Sequence, residues 1–184
     1  MGRPGLEIQQ SLNAHSVRFA GPSPYEREVM KWRTIKEEKV DDLLAFVKTA
    51  TQGGQEVHVG TDSLQNGRHT NFCTVVIVHT PGKGGRVIYT RDVVPRITSL
   101  RERLQKEVWK SVTVALALVP IAPSLSIHID ANEDTRFRSS DYVQGLVGMV
   151  MGQGFRAVIK PDSYAATTAA DWIVRHLGKI PKVA

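Results

Sequence analysis

Two aspartates stand at the ends of two apolar segments that alternate as strands do. Asp62 closes VHVGTDS, residues 57–63, and Asp130 closes the strand within LSIHIDAN, residues 125–132. Successive side chains of a strand point to opposite faces of its sheet. If the two strands are parallel neighbours, both carboxylates leave the sheet at its carboxyl edge and on one face, where open α/β sheets bind ligands.

The pairing of Asp62 with Asp130 predicts a cation site. Adjacent carboxylates repel each other and raise each other's pKa unless a cation lies between them. Hard oxygen ligands of this kind select Mg²⁺ or Mn²⁺. The alternative for either residue alone is a helix cap or a turn, which is the commoner role of a strand-end aspartate. Two such strands in one sheet favour the cation.

Two further carboxylates are expected to reach the same edge. Glu107 lies beside the apolar stripe of the helix predicted from SLRERLQKEVWKS, and Asp171 follows the small side chains of ATTAA on the last predicted helix. Glu102 has a sufficient role in a capping box with Ser99 and is a secondary candidate. Asp162 competes with Asp171 for the fourth position, although its simpler role is to cap the last helix.

Histidines and tryptophans near these positions have two interpretations each. His128 is a candidate proton shuttle, but a hydrogen-bonded core histidine is commoner. Gly60, on the neighbouring strand, is expected to make room for it. His58 lies farther from the edge and is predicted to be core. Trp109 and Trp172 are predicted to be packing anchors, with base stacking as the alternative if they are exposed.

The elements that must position these residues form one predicted sheet. The glycine-rich PGKGG between the second and third strands predicts an antiparallel hairpin. The order β, β, β, α, β, α, β, α predicts an α/β domain with a mixed five-stranded sheet and helices on both faces. The strands are VHVGTDS, NFCTVVIVHT, RVIYTRDVV, LSIHIDAN and FRAVIKPD, and the helices lie in TSLRERLQKEVWKSVTVALALV, DYVQGLVGMVMGQG and YAATTAADWIVRHL.

The chain divides into three predicted parts. Residues 1–22 are polar and carry Gly and Pro without a period, which predicts a flexible tail. Residues 23–52 are predicted to form a helical extension, whose first helix begins at Ser23. Residues 53–184 form the α/β domain.

The second helix of the extension is predicted from a capping box of Thr34 and Glu37 ahead of an apolar stripe. Gly53-Gly54 is expected to end it. Helices on the outside of a domain can dock a protein partner, and this is one hypothesis for the extension.

Composition narrows the class of protein. A chain of 184 residues, 41% of them hydrophobic, can bury one core of ordinary size. Its formal charge of +6 favours polyanionic partners such as nucleic acid. A single cysteine, Cys73, excludes an internal disulfide and a cysteine zinc cluster, which fits a reducing compartment. No segment has the pattern of a signal peptide or a membrane span, so a cytoplasmic protein is expected.

Several segments resemble a known family. The order of elements and the carboxylates Asp62, Glu107, Asp130 and Asp171 resemble the ribonuclease H-like fold. VGTDS, SLRERLQKEVWKS, IHIDAN and GQGFRAVIKPDSYAATTAAD resemble the YkuK-type ribonuclease H-like family, over about residues 57–171. The resemblance implies a nuclease site that holds two divalent ions, with Asp62 bridging them and the other three carboxylates completing the ligand set.

The residues fit that chemistry without the family name. Two ions can activate a water, stabilise the leaving oxygen and relieve the phosphate charge. Basic side chains must then hold the nucleic-acid backbone around an acidic site, although a basic helix face can also be only solvated. The candidates are Arg91, Arg96, Arg101, Arg103, Lys106 and Lys110.

The predicted function is therefore a Mg²⁺- or Mn²⁺-dependent nuclease that acts on RNA, an RNA/DNA hybrid or structured nucleic acid. The alternatives are a non-catalytic nucleic-acid-binding module of the same fold and a protein-interaction module that docks through residues 23–52.

Overall fold

The computed structural model describes residues 30–51, 54–122 and 124–177. Over these residues the chain forms one seven-stranded mixed sheet in the order β2-β1-β5-β4-β3-β6-β7. The strands are β1 (Trp32–Thr34), β2 (Lys39–Val40), β3 (Glu56–Asn66), β4 (His69–Thr80), β5 (Gly84–Pro95), β6 (Ser126–Ile129) and β7 (Arg156–Val158). The helices are α1 (Leu43–Ala50), α2 (Leu100–Leu118), α3 (Val143–Met151) and α4 (Asp171–His176), with a 3₁₀ turn at Ser140–Tyr142 and a π-helical segment at Ala165–Ala170.

Three long strands form the centre of the sheet. The antiparallel pairing of β4 with β5 confirms the predicted hairpin, and β3 pairs antiparallel with β4 as well. The two-residue turn between β3 and β4 begins with Gly67, at φ +56°, a conformation that favours glycine. β6 then adds to the free edge of β3 in parallel, and β7 adds to β6.

Helices cover both faces of the sheet, as predicted. On one face Val59 and Val76 pack with Val112 and Leu118 of α2. On the other face Cys73, Val75 and Ile77 pack with the small residues of the π-helical segment and with α4. Burying a Val or Leu side chain stabilises a fold by about 1.5–3 kcal/mol, so these two layers hold β3 and β4 rigidly between them.

The strand count differs from the prediction. Residues Trp32–Val40, predicted to be helical in part, form a short antiparallel hairpin that extends the sheet beside β5. β5 would otherwise be an edge with unpaired backbone groups, and the hairpin satisfies them. Trp32 is buried in the same cluster as Val59, so this part of the predicted docking extension is integral to the fold.

The predicted capping box at Thr34 and Glu37 is wrong. Thr34 Oγ1 accepts hydrogen bonds from the backbone N–H groups of Lys36 and Glu38, and Glu37 has φ +66°, so the motif makes a turn. Threonine and serine hydroxyls satisfy turns as readily as helix ends. The helix itself is present but starts later, where Asp42 Oδ1 accepts from Ala45 N at 2.9 Å.

Three predictions fall wholly or mostly on residues outside the described ranges. They are the tail of residues 1–22, the helix beginning at Ser23, and Gly53 of the predicted stop signal. Among the described helices, none has both the length and the apolar composition needed to cross a bilayer.

Candidate functional site

Asp62 and Asp130 meet at the carboxyl edge of the sheet. The parallel register of β3 and β6 pairs Gly60 with His128 and Thr61 with Ile129. The next position on each chain is an aspartate, so the two stand side by side. β6 ends at Ile129, whereas β3 continues through Asp62 to Asn66, past the strand end that the sequence predicted. Asp62 is only 7% exposed.

Burial and neighbouring carboxylates change the pKa of Asp62. Burial, together with the negative charges of Asp130 and Asp171, raises its pKa to about 7. Asp171 also lies within hydrogen-bonding reach of Asp62, while the backbone N–H of Ser63 acts in the opposite direction. The structure thus brings Asp171, on α4, to the same place as Asp62.

Glu107 approaches the edge from the other face of the sheet. α2 begins where Ser99 Oγ accepts from Glu102 N, and its buried stripe packs Leu104 and Val108 beneath β3. Glu107 lies within this stripe and is 4% exposed. A hydrogen bond of 2.8 Å between Thr61 Oγ1 and Ser111 Oγ fastens the helix to the strand.

The surroundings of Glu107 raise the pKa of its carboxyl group. Burial, together with the charges of Asp62 and Asp130, raises its pKa to about 8. Ser63 Oγ donates to Glu107 Oε1 at 2.6 Å, and Arg103 Nη1 lies 3.7 Å from the same oxygen. These two contacts favour the charged form but do not outweigh desolvation and repulsion.

Two basic residues border the carboxylates. Lys160 Nζ forms an ion pair with Asp130 Oδ1 at 2.5 Å. Arg175 forms an ion pair with Asp171 one helical turn away. The charge of the cluster is therefore only partly balanced by side chains.

The donor set fits a hard divalent cation. Four carboxylates converge, and the pKa values of Asp62 and Glu107 are raised by burial and by neighbouring carboxylates. A divalent cation among them would remove the repulsion. The assignment of these residues as metal ligands stays a prediction.

Gly60 makes room for a different neighbour from the one predicted. It pairs with His128 as expected, but a Cβ built on Gly60 would lie 2.6 Å from Ala166 N and 2.8 Å from Ala165 C. The absent side chain therefore admits the backbone of the π-helical segment. This close approach carries α4, and with it Asp171, onto β3.

The secondary candidates have structural roles. Glu102 is exposed and pairs with Lys106 at 3.0 Å. His128 is buried, and its Nδ1 accepts from Ala165 N at 3.2 Å, so it caps the last helix in place of Asp162, for which that role was predicted. Burial lowers the pKa of His128 to about 4, which keeps it neutral. Asp162 is exposed in the turn before the helix.

The predicted backbone-binding residues are spread over the end of β5 and over α2. Arg96 and Arg101 are exposed. Arg103 donates to Ser63 O at 3.2 Å, and Arg96 to Gly67 O at 2.8 Å. Arg91 donates to Ile173 O, Lys110 pairs with Asp92, and Lys106 pairs with Glu102.

The two tryptophans are not packing anchors. Trp109 is 48% exposed and Trp172 is 49% exposed. Trp172 follows Asp171 directly and stacks on His176, with ring centroids 5.3 Å apart. An exposed indole next to the carboxylate cluster is available for base stacking, which was the alternative interpretation.

A second cluster was missed in the sequence. Glu56, His58 and His79 bring one carboxylate oxygen and two ring nitrogens within 4.8 Å of one another. His58 was predicted to be core, and it is buried, but neither Glu56 nor His79 was singled out. The alternation of Glu56 and His58 was visible in the sequence, whereas the position of His79 depends on the β3–β4 register.

The sheet order and the converging carboxylates define the class of this protein. In the five strands β5-β4-β3-β6-β7, antiparallel strands lie on one side of β3 and parallel strands on the other, as the ribonuclease H-like resemblance implies. The family model described as Ribonuclease H-like matches residues 38–175.

The chain is also similar in sequence to a bacterial protein. The uncharacterized protein YkuK of Bacillus subtilis (strain 168) is 28% identical over 153 residues, which cover 73% of this chain and 88% of that protein. No solved structure matches the chain. The chain belongs to the ribonuclease H-like family, and it is similar to YkuK within the limits of that identity.

Proposed function

We propose that the protein is a divalent-metal-dependent nuclease that hydrolyses phosphodiester bonds. The observation that carries the proposal is the convergence of Asp62 with Asp130, Asp171 and Glu107. Burial, with the charges of Asp130 and Asp171, raises the pKa of Asp62 to about 7. The ribonuclease H-like fold supports nucleic acid as the substrate. The favoured substrates are RNA and RNA/DNA hybrids.

Asp62, Glu107, Asp130 and Asp171 would hold Mg²⁺ or Mn²⁺, with two ions proposed. Bound there, the metal supplies a water activated at neutral pH and positive charge for the phosphate. Asp62 stands between Asp130 and the helix-borne carboxylates, which suits it to bridge.

Other residues position the site. Ser63 holds Glu107 with a bond of 2.6 Å, and Arg103 is itself held by Ser63 Oγ at 3.0 Å, so the three side chains form a fixed group under the strand end. Exposed Arg96 and Arg101 lie on the end of β5 and the start of α2, where they can contact phosphates without leaving a buried partner unpaired.

The test is cleavage of end-labelled RNA, DNA and RNA/DNA hybrid in EDTA, Mg²⁺ or Mn²⁺. The wild type should cut one or more of them with metal, and Asp62→Asn should not. Asp41→Asn, an exposed aspartate on the segment before α1, is the matched control and should cut normally. Metal-independent cutting, or equal cutting by wild type and Asp62→Asn, would contradict the proposal.

A specific observation favours a second candidate, a non-catalytic nucleic-acid-binding module. Lys160 and Arg175 already pair with Asp130 and Asp171, and such pairs can stabilise a carboxylate cluster without metal. This candidate predicts nucleic-acid binding that weakens with salt, ignores Mg²⁺ and is not followed by cleavage.

A further inference from the structure

The cluster of Glu56, His58 and His79 lies at the opposite end of β3 from Asp62. Glu56 and His58 are two residues apart on one strand, so their side chains share a face of the sheet. The antiparallel register places His79 of β4 directly opposite Glu56. The three side chains therefore project together from two rigidly paired strands.

The donor atoms have separations that suit one metal ion. Glu56 Oε2 lies 3.5 Å from His58 Nε2 and 3.6 Å from His79 Nδ1. Two ligand atoms about 2.0–2.1 Å from a tetrahedral Zn²⁺ are about 3.3 Å apart. Small rotations of the side chains would bring all three atoms to coordinating distance.

The two ring nitrogens are available for a ligand. His58 Nε2 and His79 Nδ1 are buried, and neither has a hydrogen-bond partner within the described ranges, because the contacts with Glu56 are too long. Buried polar atoms without a hydrogen-bond partner are rare, and a bound ion is one way in which such atoms are satisfied. His58 as a whole is only 8% exposed.

The other nitrogen of His58 is held by a neighbour. His58 Nδ1 lies 2.8 Å from Ser126 Oγ on β6, which orients the ring and directs Nε2 toward Glu56. Metal-binding histidines commonly have such a partner on the second nitrogen. The His58 ring also packs against His128 and Tyr164, with centroids 4.8 Å and 5.3 Å away.

This cluster is separate from the carboxylate edge. His58 and Asp62 are four residues apart on a straight strand, a distance of about 13 Å at about 3.3 Å per residue. Between them Gly60 packs against the π-helical backbone. The donor sets also differ, since imidazole nitrogen suits Zn²⁺ and related transition metals while carboxylates alone suit Mg²⁺.

We propose that Glu56, His58 and His79 bind one Zn²⁺ ion, with the fourth position open to water. Because the ligands come from both strands, the ion links β3 to β4. It also fixes the His58 ring, which contacts Tyr164 at the start of the last helix.

The test is a titration of metal-free full-length protein with ZnCl₂ by isothermal calorimetry, followed by Co²⁺ substitution. The wild type should bind one Zn²⁺ at this site and give the intense visible absorption of tetrahedral Co²⁺. Glu56→Gln and His79→Ala should each weaken binding by more than about 100-fold, since loss of an outer partner alone costs about 10–100-fold.

Two controls separate this site from others. His69→Ala removes an exposed histidine at the far end of the same hairpin and should leave Zn²⁺ affinity unchanged. Asp62→Asn with Glu107→Gln removes the carboxylate site and should also leave it unchanged, so the nuclease proposal can fail without this one. Glu56→Gln alters an exposed side chain, and its circular dichroism in EDTA should match the wild type.

The proposal is overturned if the wild type binds no Zn²⁺, or if Glu56→Gln and His79→Ala both keep wild-type affinity. It is also overturned if Zn²⁺ binding disappears in the Asp62→Asn, Glu107→Gln variant while both Glu56→Gln and His79→Ala retain it.

Discussion

The two ends of β3 make opposite use of the same face of one strand. Toward the carboxyl end, Asp62 lies near three other carboxylates, and burial together with the neighbouring negative charges raises the pKa values of Asp62 and Glu107. At the amino end, His58 meets Glu56 and His79, with unsatisfied nitrogens instead of excess charge. Between them Gly60 brings the last helix so close that the two clusters cannot merge. Residue types thus decide the kind of cation, and the packed helix keeps the two sites apart.

The largest expected effect is a loss of cleavage on changing Asp62, which alters the carboxylate cluster and leaves the histidine cluster intact. Asp62→Asn removes the carboxylate shared by all the others and should lower Mn²⁺-dependent cleavage by at least about 10³-fold. Single-turnover cleavage of labelled RNA is the measurement. Thermal unfolding of the variant in EDTA at or above the temperature of the wild type will show that the loss is chemical, and a loss shared by Asp41→Asn would remove the assignment.

The next largest effect is a loss of stability on changing Gly60, which lies between the two clusters on β3. Gly60→Ala would force a Cβ against the backbone of Ala166 and should destabilise the fold by about 3 kcal/mol, at the upper end of overpacking costs. Urea unfolding gives the free energy. Gly145→Ala on α3 is the matched control, because its Cβ meets nothing within 4 Å and a helical Gly→Ala change stabilises by up to about 1 kcal/mol. Equal effects of the two changes would show that the contact at Gly60 is not tight.

A third prediction concerns pH. Asp62 and Glu107 have folded pKa values of about 7 and about 8, above those of the unfolded chain, so between pH 6.5 and 8.5 the folded state binds more protons and stability falls as pH rises. The lowered pKa of His58 and His128 acts below this window, where it makes stability fall as pH decreases.

The measurement is the free energy of unfolding in EDTA across that window. A decrease of at least about 1 kcal/mol is expected, since one pKa unit corresponds to about 1.4 kcal/mol. The decrease should shrink in Asp62→Asn and in the wild type with Mn²⁺. A flat profile in EDTA would mean that the carboxylates do not repel one another as the structure indicates.

The smallest expected effect is on RNA binding, and it tests whether the bound strand lies near the carboxylate cluster. Trp172 lies exposed next to Asp171, so Trp172→Ala should weaken binding of single-stranded RNA in EDTA by about 5-fold, at the low end of base stacking. Fluorescence anisotropy gives the dissociation constant. Leu44→Ala, an equally exposed apolar residue on α1, should have no effect. The opposite ranking would move the bound strand away from the carboxylates.

Local pattern predicted much of the fold. The alternation in VHVGTDS and LSIHIDAN and the helical stripe around Leu104 and Val108 placed the central strands and α2 where the structure has them. Trp32–Val40 was mistaken because a threonine followed by glutamate three residues later begins either a helix or a turn. Only the open edge of β5 decided between them, and β5 lies some fifty residues away in the chain.

The candidate site divides in the same way. Asp62 and Asp130 could be paired from the sequence because each follows an alternating segment, and the two segments were expected to be parallel neighbours. The structure confirms the parallel pairing but continues β3 beyond Asp62 to Asn66. Glu107 and Asp171 could be suggested but not placed, since a residue at the border of a helix stripe can point to solvent or to the core. Packing of α2 beneath Ser63 decided the first, and the contact at Gly60 decided the second.

By itself the sequence determined the class of fold, the donor types and the two aspartates on neighbouring strands, because alternation and helical period are local properties of the chain. Only the tertiary structure decided that His79 faces Glu56, that Gly60 admits the backbone of Ala165 and Ala166, and that Trp109 and Trp172 remain exposed while Trp32 is buried. Register and packing join residues far apart in the chain, and a shift of one residue in register would turn His79 to the opposite face of the sheet.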